Sequence, residues 1–176
     1  TRLGNLTSPL RDRFGIILRV DYYSKKELFE IINRSANILE IKIDDKAALE
    51  LASRSRGTPR IANRILRRAR DFADVDGSGV ITLDISRTTL SNLGIDQIGL
   101  DSMDRKILKT IIDKFKGGPV GLKSLSVALG EDSMTIEDVY EPFLLKEGYL
   151  LRTPRGRLIS DKAKTYLSTI EHKENF

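Results

Sequence analysis

Residues 21–95 of this 176-residue chain alternate apolar and polar positions at helical spacing. Ser24 with Glu27 makes a capping box that opens a helix with the stripe Leu28, Ile31, Ile32 and Leu39. A second helix follows from about Asp45 to Ser55, with Ala47, Ala48, Leu49 and Leu51 free to pack. Gly57, Thr58 and Pro59 then form a helix start. Glycine tolerates positive φ at the end of the preceding helix, threonine can accept from free N–H groups, and proline needs no donor in the first turn. Beyond it Ile61, Ile65, Leu66, Ala69, Phe72 and Ala73 share one face, with Arg60, Arg64 and Arg67 on the other. Thr82 caps a fourth helix carrying Ile85, Leu90 and Leu93, closed by Gly94.

The pattern lapses between Gly94 and Ser102, which reads as a linker. Ser102 is expected to cap a helix with Ile107, Leu108, Ile111, Ile112 and Phe115 inward, ended by Gly117-Gly118-Pro119. Leu122, Leu125, Ala128 and Leu129 mark a short helix closed by Gly130. Thr135 with Asp138 is expected to cap a third, with Ile136, Val139, Phe143 and Leu144 inward and a bend at Pro142. Tyr149–Thr153 and Arg157–Ser160 flank Pro154-Arg155-Gly156 as a β-hairpin, and Ala163, Tyr166, Leu167 and Ile170 belong to a last helix. Three helices followed by a hairpin is the winged form of a helix-turn-helix domain. Ahead of all this, Ile16–Val20 reads as a short buried strand with no obvious partner.

Composition narrows the chemistry. The chain has no cysteine, which removes disulfides, thiolate zinc sites and thiol catalysis. Its one histidine, His172, lies in a polar tail and reads as a bystander, so histidine triads are excluded. No apolar run approaches the ~20 residues of a membrane span, and nothing at the start resembles a signal peptide. The formal charge of +5 is moderate, but the basic residues are clustered, which suggests a polyanionic partner. The chain opens on Thr1 instead of methionine, consistent with a fragment.

Two basic stretches and one acidic loop carry candidate chemistry. A solvated face is the plainer explanation of the arginines after Pro59, except for Arg60. A guanidinium in the first turn meets the positive end of the helix dipole, so Arg60 is unfavourable there unless an anion sits beside it. The second stretch, Arg152-Thr153-Pro154-Arg155-Gly156-Arg157, has three arginines and no acid, which suits phosphates on either side of a groove. The helix expected before it carries Glu137, Asp138, Glu141 and Glu147, charges that a major groove would repel, so DNA binding through the hairpin without base reading is expected. Asp74–Thr82 matches nine positions of a calcium loop, but the twelfth is Ile85, so the better reading is a turn. A phosphate-cradling G-x-x-x-x-G-K-[ST] loop is absent, so the chain's own motifs bind no nucleotide and cannot hydrolyse one alone.

Thr1-Arg2, Ser8–Gly15, Arg56–Arg64, Gly117–Leu122 and Arg152–Arg157, in that order, closely resemble the RuvB family of bacterial AAA+ motors that drive branch migration of Holliday junctions. The resemblance covers the whole chain. It implies a mainly α chain: an AAA+ small helical lid domain followed by a winged-helix domain with a β-hairpin wing. By that division residues 1–20 are the C-terminal remnant of the large ATPase domain, 21–95 the lid, 96–101 a linker and 102–176 the winged helix. Carried over residue by residue, Thr1 resembles sensor 1, Arg13 the arginine finger offered to a neighbouring ATP, Tyr23 a nucleotide contact and Arg60 sensor 2. Arg152, Arg155 and Arg157 fall in the DNA-contacting wing. The intact family member is implied to be a cytoplasmic homo-hexamer on duplex DNA at Holliday junctions, using ATP with Mg2+ and working with RuvA and RuvC in recombination and repair. Read without the resemblance, the residues also allow a winged-helix transcription regulator and a calcium-responsive interaction module.

Overall fold

In the computed structural model the described residues are Arg13 and 21–174, with side chains described as far as Ile170. Thr1, the expected strand at Ile16–Val20, most of the 1–20 remnant and the side chain of His172 lie outside the described residues. Helix α1 is Lys25–Ile38, strand β1 Lys42–Ile43, α2 Asp45–Ser53, α3 Pro59–Asp76, β2 Val80–Ile81 and α4 Leu83–Asn92. Then come α5 Ser102–Phe115, α6 Leu122–Leu129, α7 Ser133–Thr135, a π-helical turn Ile136–Tyr140 and α8 Glu141–Lys146. The hairpin β3 Leu150–Thr153 and β4 Gly156–Ile159 precedes α9, Asp161–Glu174.

The Ser24–Glu27 capping box opens α1 as expected, and Leu28 and Ile32 are sealed from solvent. Burial of this kind contributes about 1.5–3 kcal/mol per large aliphatic side chain. Leu39 and Leu49, expected to pack, are 39% and 54% exposed; Leu39 has passed the last turn of α1, and Leu49 points away from the buried stripe of α2. Helix α3 is the backbone of the first half, burying Ala62, Ile65, Leu66, Ala69 and Ala73 against α1, α2 and α4. The acidic loop is a turn: Asp74 and Asp76 finish α3, Gly77 takes φ 78, and Val80–Ile81 pair in parallel with Lys42–Ile43. That parallel pair was not expected, because two-residue strands leave no alternation to read.

The second core gathers Ile107, Leu108, Ile111, Leu125, Ile136 and Leu144 under the hairpin. Its helix starts differ from expectation. Asp101, not Ser102, caps α5, accepting from the N–H groups of Met103 and Asp104. Asp132, not Thr135, caps α7, accepting from Met134 and Thr135. A carboxylate is a stronger acceptor than a hydroxyl and takes both N–H groups in each case. The expected bend at Pro142 is a π-helical turn ending one residue before Glu141; a proline ring clashes with the carbonyl four residues back, and the wider turn relieves it. The extra residue rotates Val139 outward, to 57% exposed, where inward packing was expected.

The hairpin turns through Pro154 and Arg155, with Arg152 opposite Arg157 and Thr153 opposite Gly156. Val120 adds a bridge to Arg157, donating to its carbonyl at 2.9 Å and accepting from its N–H at 2.8 Å. Gly156 allows this: its φ is 129, and a Cβ there would collide with the Val120 backbone.

Candidate functional site

One candidate site is the start of α3. Gly57 takes φ 73 and Pro59 occupies the first turn as expected, but Thr58 gives no side-chain cap; its hydroxyl instead reaches the Arg56 carbonyl at 3.5 Å. The first turn carries no acid. Arg60 is exposed and has no ion-pair partner among the described residues, so its charge and the helix's free N–H groups face solvent together. That is an arrangement suited to an anion. Tyr23, 41% exposed, is tied to the residue three before Arg60, because its N–H donates to the Gly57 carbonyl at 2.9 Å. The fold thus draws two of the expected nucleotide-contacting residues to one edge. Arg64 and Arg67 extend the exposed basic strip, whereas Arg68 and Arg70 pair with Asp71. Arg13 is described and exposed; Thr1 lies outside the described residues.

The other candidate site is the hairpin, where three protruding guanidiniums were expected. Arg155, at the tip, is exposed and unpaired among the described residues. Arg152 is half exposed and donates to Glu137 at 2.6 Å. Arg157 is buried: its side chain is 9% exposed and both Nε and a terminal nitrogen bond the carboxylate of Glu141, itself 1% exposed. The hydroxyl of Thr153 donates to the Gly156 carbonyl at 2.9 Å and closes the turn. Of the four acids named on the preceding helix, Glu137 and Glu141 turn toward the hairpin, while Asp138 stays exposed. The signal was in the register: a two-residue turn sets Arg152 opposite Arg157, and like charges so placed need acids between them.

Between the two sites lies a polar junction that sequence reasoning passed over as a linker. Arg56, with φ 55, donates to the Gly99 carbonyl at 3.0 Å, pairs with Asp101 at 2.9 Å and bonds the fully buried Asp104. Burial raises the Asp104 carboxyl to about 6, against the opposing pull of Arg56. Asp96 accepts from the N–H groups of Ile98 and Leu100 and from the Tyr166 hydroxyl, and Arg105 binds the carbonyls of Gly94 and Leu100. Desolvation, then the bond to Asp96, pushes the Tyr166 hydroxyl up.

Among known proteins, residues 23–96 match the RuvB AAA lid domain and residues 97–168 the RuvB C-terminal winged helix domain. The Holliday junction branch migration complex subunit RuvB of Myxococcus xanthus is 60% identical over 166 residues, 94% of this chain and 48% of the relative. The Flavobacterium johnsoniae subunit is 58% identical over 170 residues, 97% of this chain and 50% of the relative. The solved structure of the Thermotoga maritima RuvB Holliday junction branch migration motor superposes with a TM-score of 0.89 at 53% identity, covering 94% of this chain and 55% of that one. A substituted form of the same protein gives 0.91 at 52% identity, covering 96% and 56%. The chain therefore spans about half the length of the curated relatives it matches. With a lid at one end and a winged helix at the other, each matching its RuvB counterpart in order, the chain belongs to the RuvB family.

Proposed function

We propose that this chain is the lid and winged-helix part of an ATP-driven motor that migrates Holliday junctions, reading nucleotide state at the α3 start and holding the DNA backbone at the hairpin. The observation that carries the reading is the pair of arginines unpaired among the described residues, one in each half of the chain: Arg60 at a helix start without acids and Arg155 on a hairpin tip. The α3 start fits the phosphates of ATP, since it presents N–H groups and a guanidinium with no competing carboxylate. Tyr23 beside it fits a nucleotide contact, and Arg13 would serve as the finger stabilising transition-state charge on a neighbour's ATP, worth about 10³–10⁵ in rate. Among the described residues no acidic cluster could hold a metal, so Mg2+ would be held by groups outside them. At the hairpin, Arg155 with Arg152 would touch phosphates and Arg157 would brace the strands. Sequence-independent grip of this kind suits translocation along duplex DNA. The wider assembly, a cytoplasmic homo-hexamer acting with RuvA and RuvC, belongs to the same proposal. The matches do not favour a transcription regulator.

The test is affinity for unrelated duplexes against salt concentration. Arg155→Ala should flatten the log-log slope by about 0.9, and Arg152→Ala by less because Glu137 already holds part of its charge, each weakening all sequences equally. An unchanged slope, or binding to one sequence only, would refute the backbone grip. In a protein of full family length, Arg13→Ala should abolish ATP hydrolysis with nucleotide binding retained; normal turnover would refute the finger.

A further inference from the structure

Helix α8 is six residues long, and three of its side chains reach into three different parts of the molecule. Its first residue, Glu141, holds the buried guanidinium of Arg157 in β4. The ring of Phe143 lies under the guanidinium of Arg56, 4.7 Å from ring centre to the central carbon, and also backs the Gly99 turn. Its last residue, Lys146, places its ammonium 4.4 Å from the centre of the Tyr22 ring. Tyr22 and Lys146 together close over Gly57: a Cβ at that position would stand 2.8 Å from the Tyr22 Cβ and 3.1 Å from the Lys146 Nζ. Gly57 is three residues from Arg60 and takes the hydrogen bond from Tyr23.

We propose that α8 is a strut between the hairpin and the nucleotide-facing end of the lid, with Glu141 seating the hairpin at one end and Phe143 and Lys146 as positioning residues at the other. The inference rests on the proposed DNA grip and names the residues through which it is felt at the α3 start. Close-packed contacts transmit displacement where there is no free volume to absorb it. Gly57 borders an open cleft, but Tyr22 and Lys146 touch it on one side, and on the other Arg56 is anchored to Asp101 and Asp104 and stacked on Phe143, so displacement is passed on through these contacts. A shift of Gly57–Arg60 therefore moves Lys146 and Phe143, and with them Glu141 and the strands it holds. The same path runs in reverse when the hairpin meets DNA, because coupling between two sites is reciprocal.

Reciprocity supplies the test on this chain itself. The 15N-labelled protein is titrated with a duplex of arbitrary sequence while backbone amide signals are followed. The Gly57 and Tyr23 signals are expected to move with those of the hairpin and to saturate at the same DNA concentration. In Phe143→Leu/Lys146→Met the hairpin response and DNA affinity should persist, with the Gly57 and Tyr23 responses lost; Lys146→Arg, which keeps a cation over Tyr22, should retain them. Lys146 is exposed, so Lys146→Met alone reports if the double variant fails to fold. DNA binding in the wild type with a silent Gly57, or an undiminished Gly57 response in the variants, would overturn the strut and leave the grip standing. No DNA binding at all would overturn the grip, and the strut with it.

Discussion

Arg157→Ala separates a residue that touches DNA from one that holds the hairpin together. The guanidinium is 9% exposed and its carboxylate partner Glu141 1% exposed, so the substitution leaves a buried anion with a second carboxylate, Glu137, nearby. Removing one member of a buried pair costs about 3–5 kcal/mol. For a domain of 60–100 residues each kcal/mol lowers the melting temperature by roughly 4–8 °C, so a fall of about 12–40 °C is expected. Replacing both partners, as Arg157→Met with Glu141→Met, should recover most of that loss, since apolar groups of similar volume remove the stranded charge. The assay pairs thermal melting with the salt dependence of DNA affinity. The double variant should melt near the wild type and keep its salt slope, because neither group reached a phosphate. Arg157→Ala with unchanged melting and a slope flattened by about 0.9 would refute the reasoning and make Arg157 a direct contact.

Three other outcomes are expected. Asp104 has a folded-state pKa raised to about 6, above its ordinary 3.8, so the folded form binds the proton more tightly. Its contribution is complete at pH below the ordinary value and is lost as pH rises to about 6; denaturation midpoints across pH 4–7 should show this fall in the wild type relative to Asp104→Asn. Gly156→Ala, at φ 129 against the Val120 backbone, should cost about 1–3 kcal/mol in strain, read by denaturant titration; a neutral result would mean the turn has another conformation within reach. Arg60→Ala should leave stability within about 0.5 kcal/mol, since the side chain is exposed and has no ion-pair partner among the described residues, while weakening nucleotide response in a protein of full family length; wild-type response would remove it from the nucleotide site.

Helices with wide apolar faces could be read from sequence because each repeats the same evidence over several turns. Ile65, Leu66, Ala69 and Ala73 of α3 and Ile107, Leu108 and Ile111 of α5 are buried as expected, whereas Ile61, Phe72, Ile112 and Phe115 are only partly so and the buried Ala62, Asp104 and Thr110 were missed; the Ser24 and Thr82 caps are as expected. Errors fell where a single residue decides the outcome. Where an aspartate precedes the expected cap, by one residue at Asp101 and by three at Asp132, the carboxylate took the N–H groups. The Val139 error came from assuming one period through Pro142, when the π turn inserts a residue. The β1–β2 pair and the Val120 bridge are too short for any periodicity. At the candidate sites, the Tyr23 and Arg60 neighbourhood depends on a single backbone bond from Tyr23 to Gly57, invisible to side-chain patterns.

Arginine illustrates the deeper limit. In this chain the same residue type meets three fates. Arg60 and Arg155 are free among the described residues, Arg152 is shared between solvent and Glu137, and Arg56 and Arg157 are sealed against carboxylates. Counting guanidiniums along the hairpin therefore overstates the charge offered to DNA, because the acids that neutralise it come from a helix read separately. Placing Glu137 and Glu141 beside Arg152 and Arg157 lowers the outward charge of the hairpin to that of Arg155 and part of Arg152. A grip that must be released repeatedly gains from such moderation, since each phosphate contact adds a full counterion term to affinity. On this argument Glu137→Gln should tighten DNA binding and steepen the salt slope by freeing Arg152. An unchanged slope in that variant would mean that Glu137 only orients Arg152, and that a different balance of contacts sets the strength of the grip.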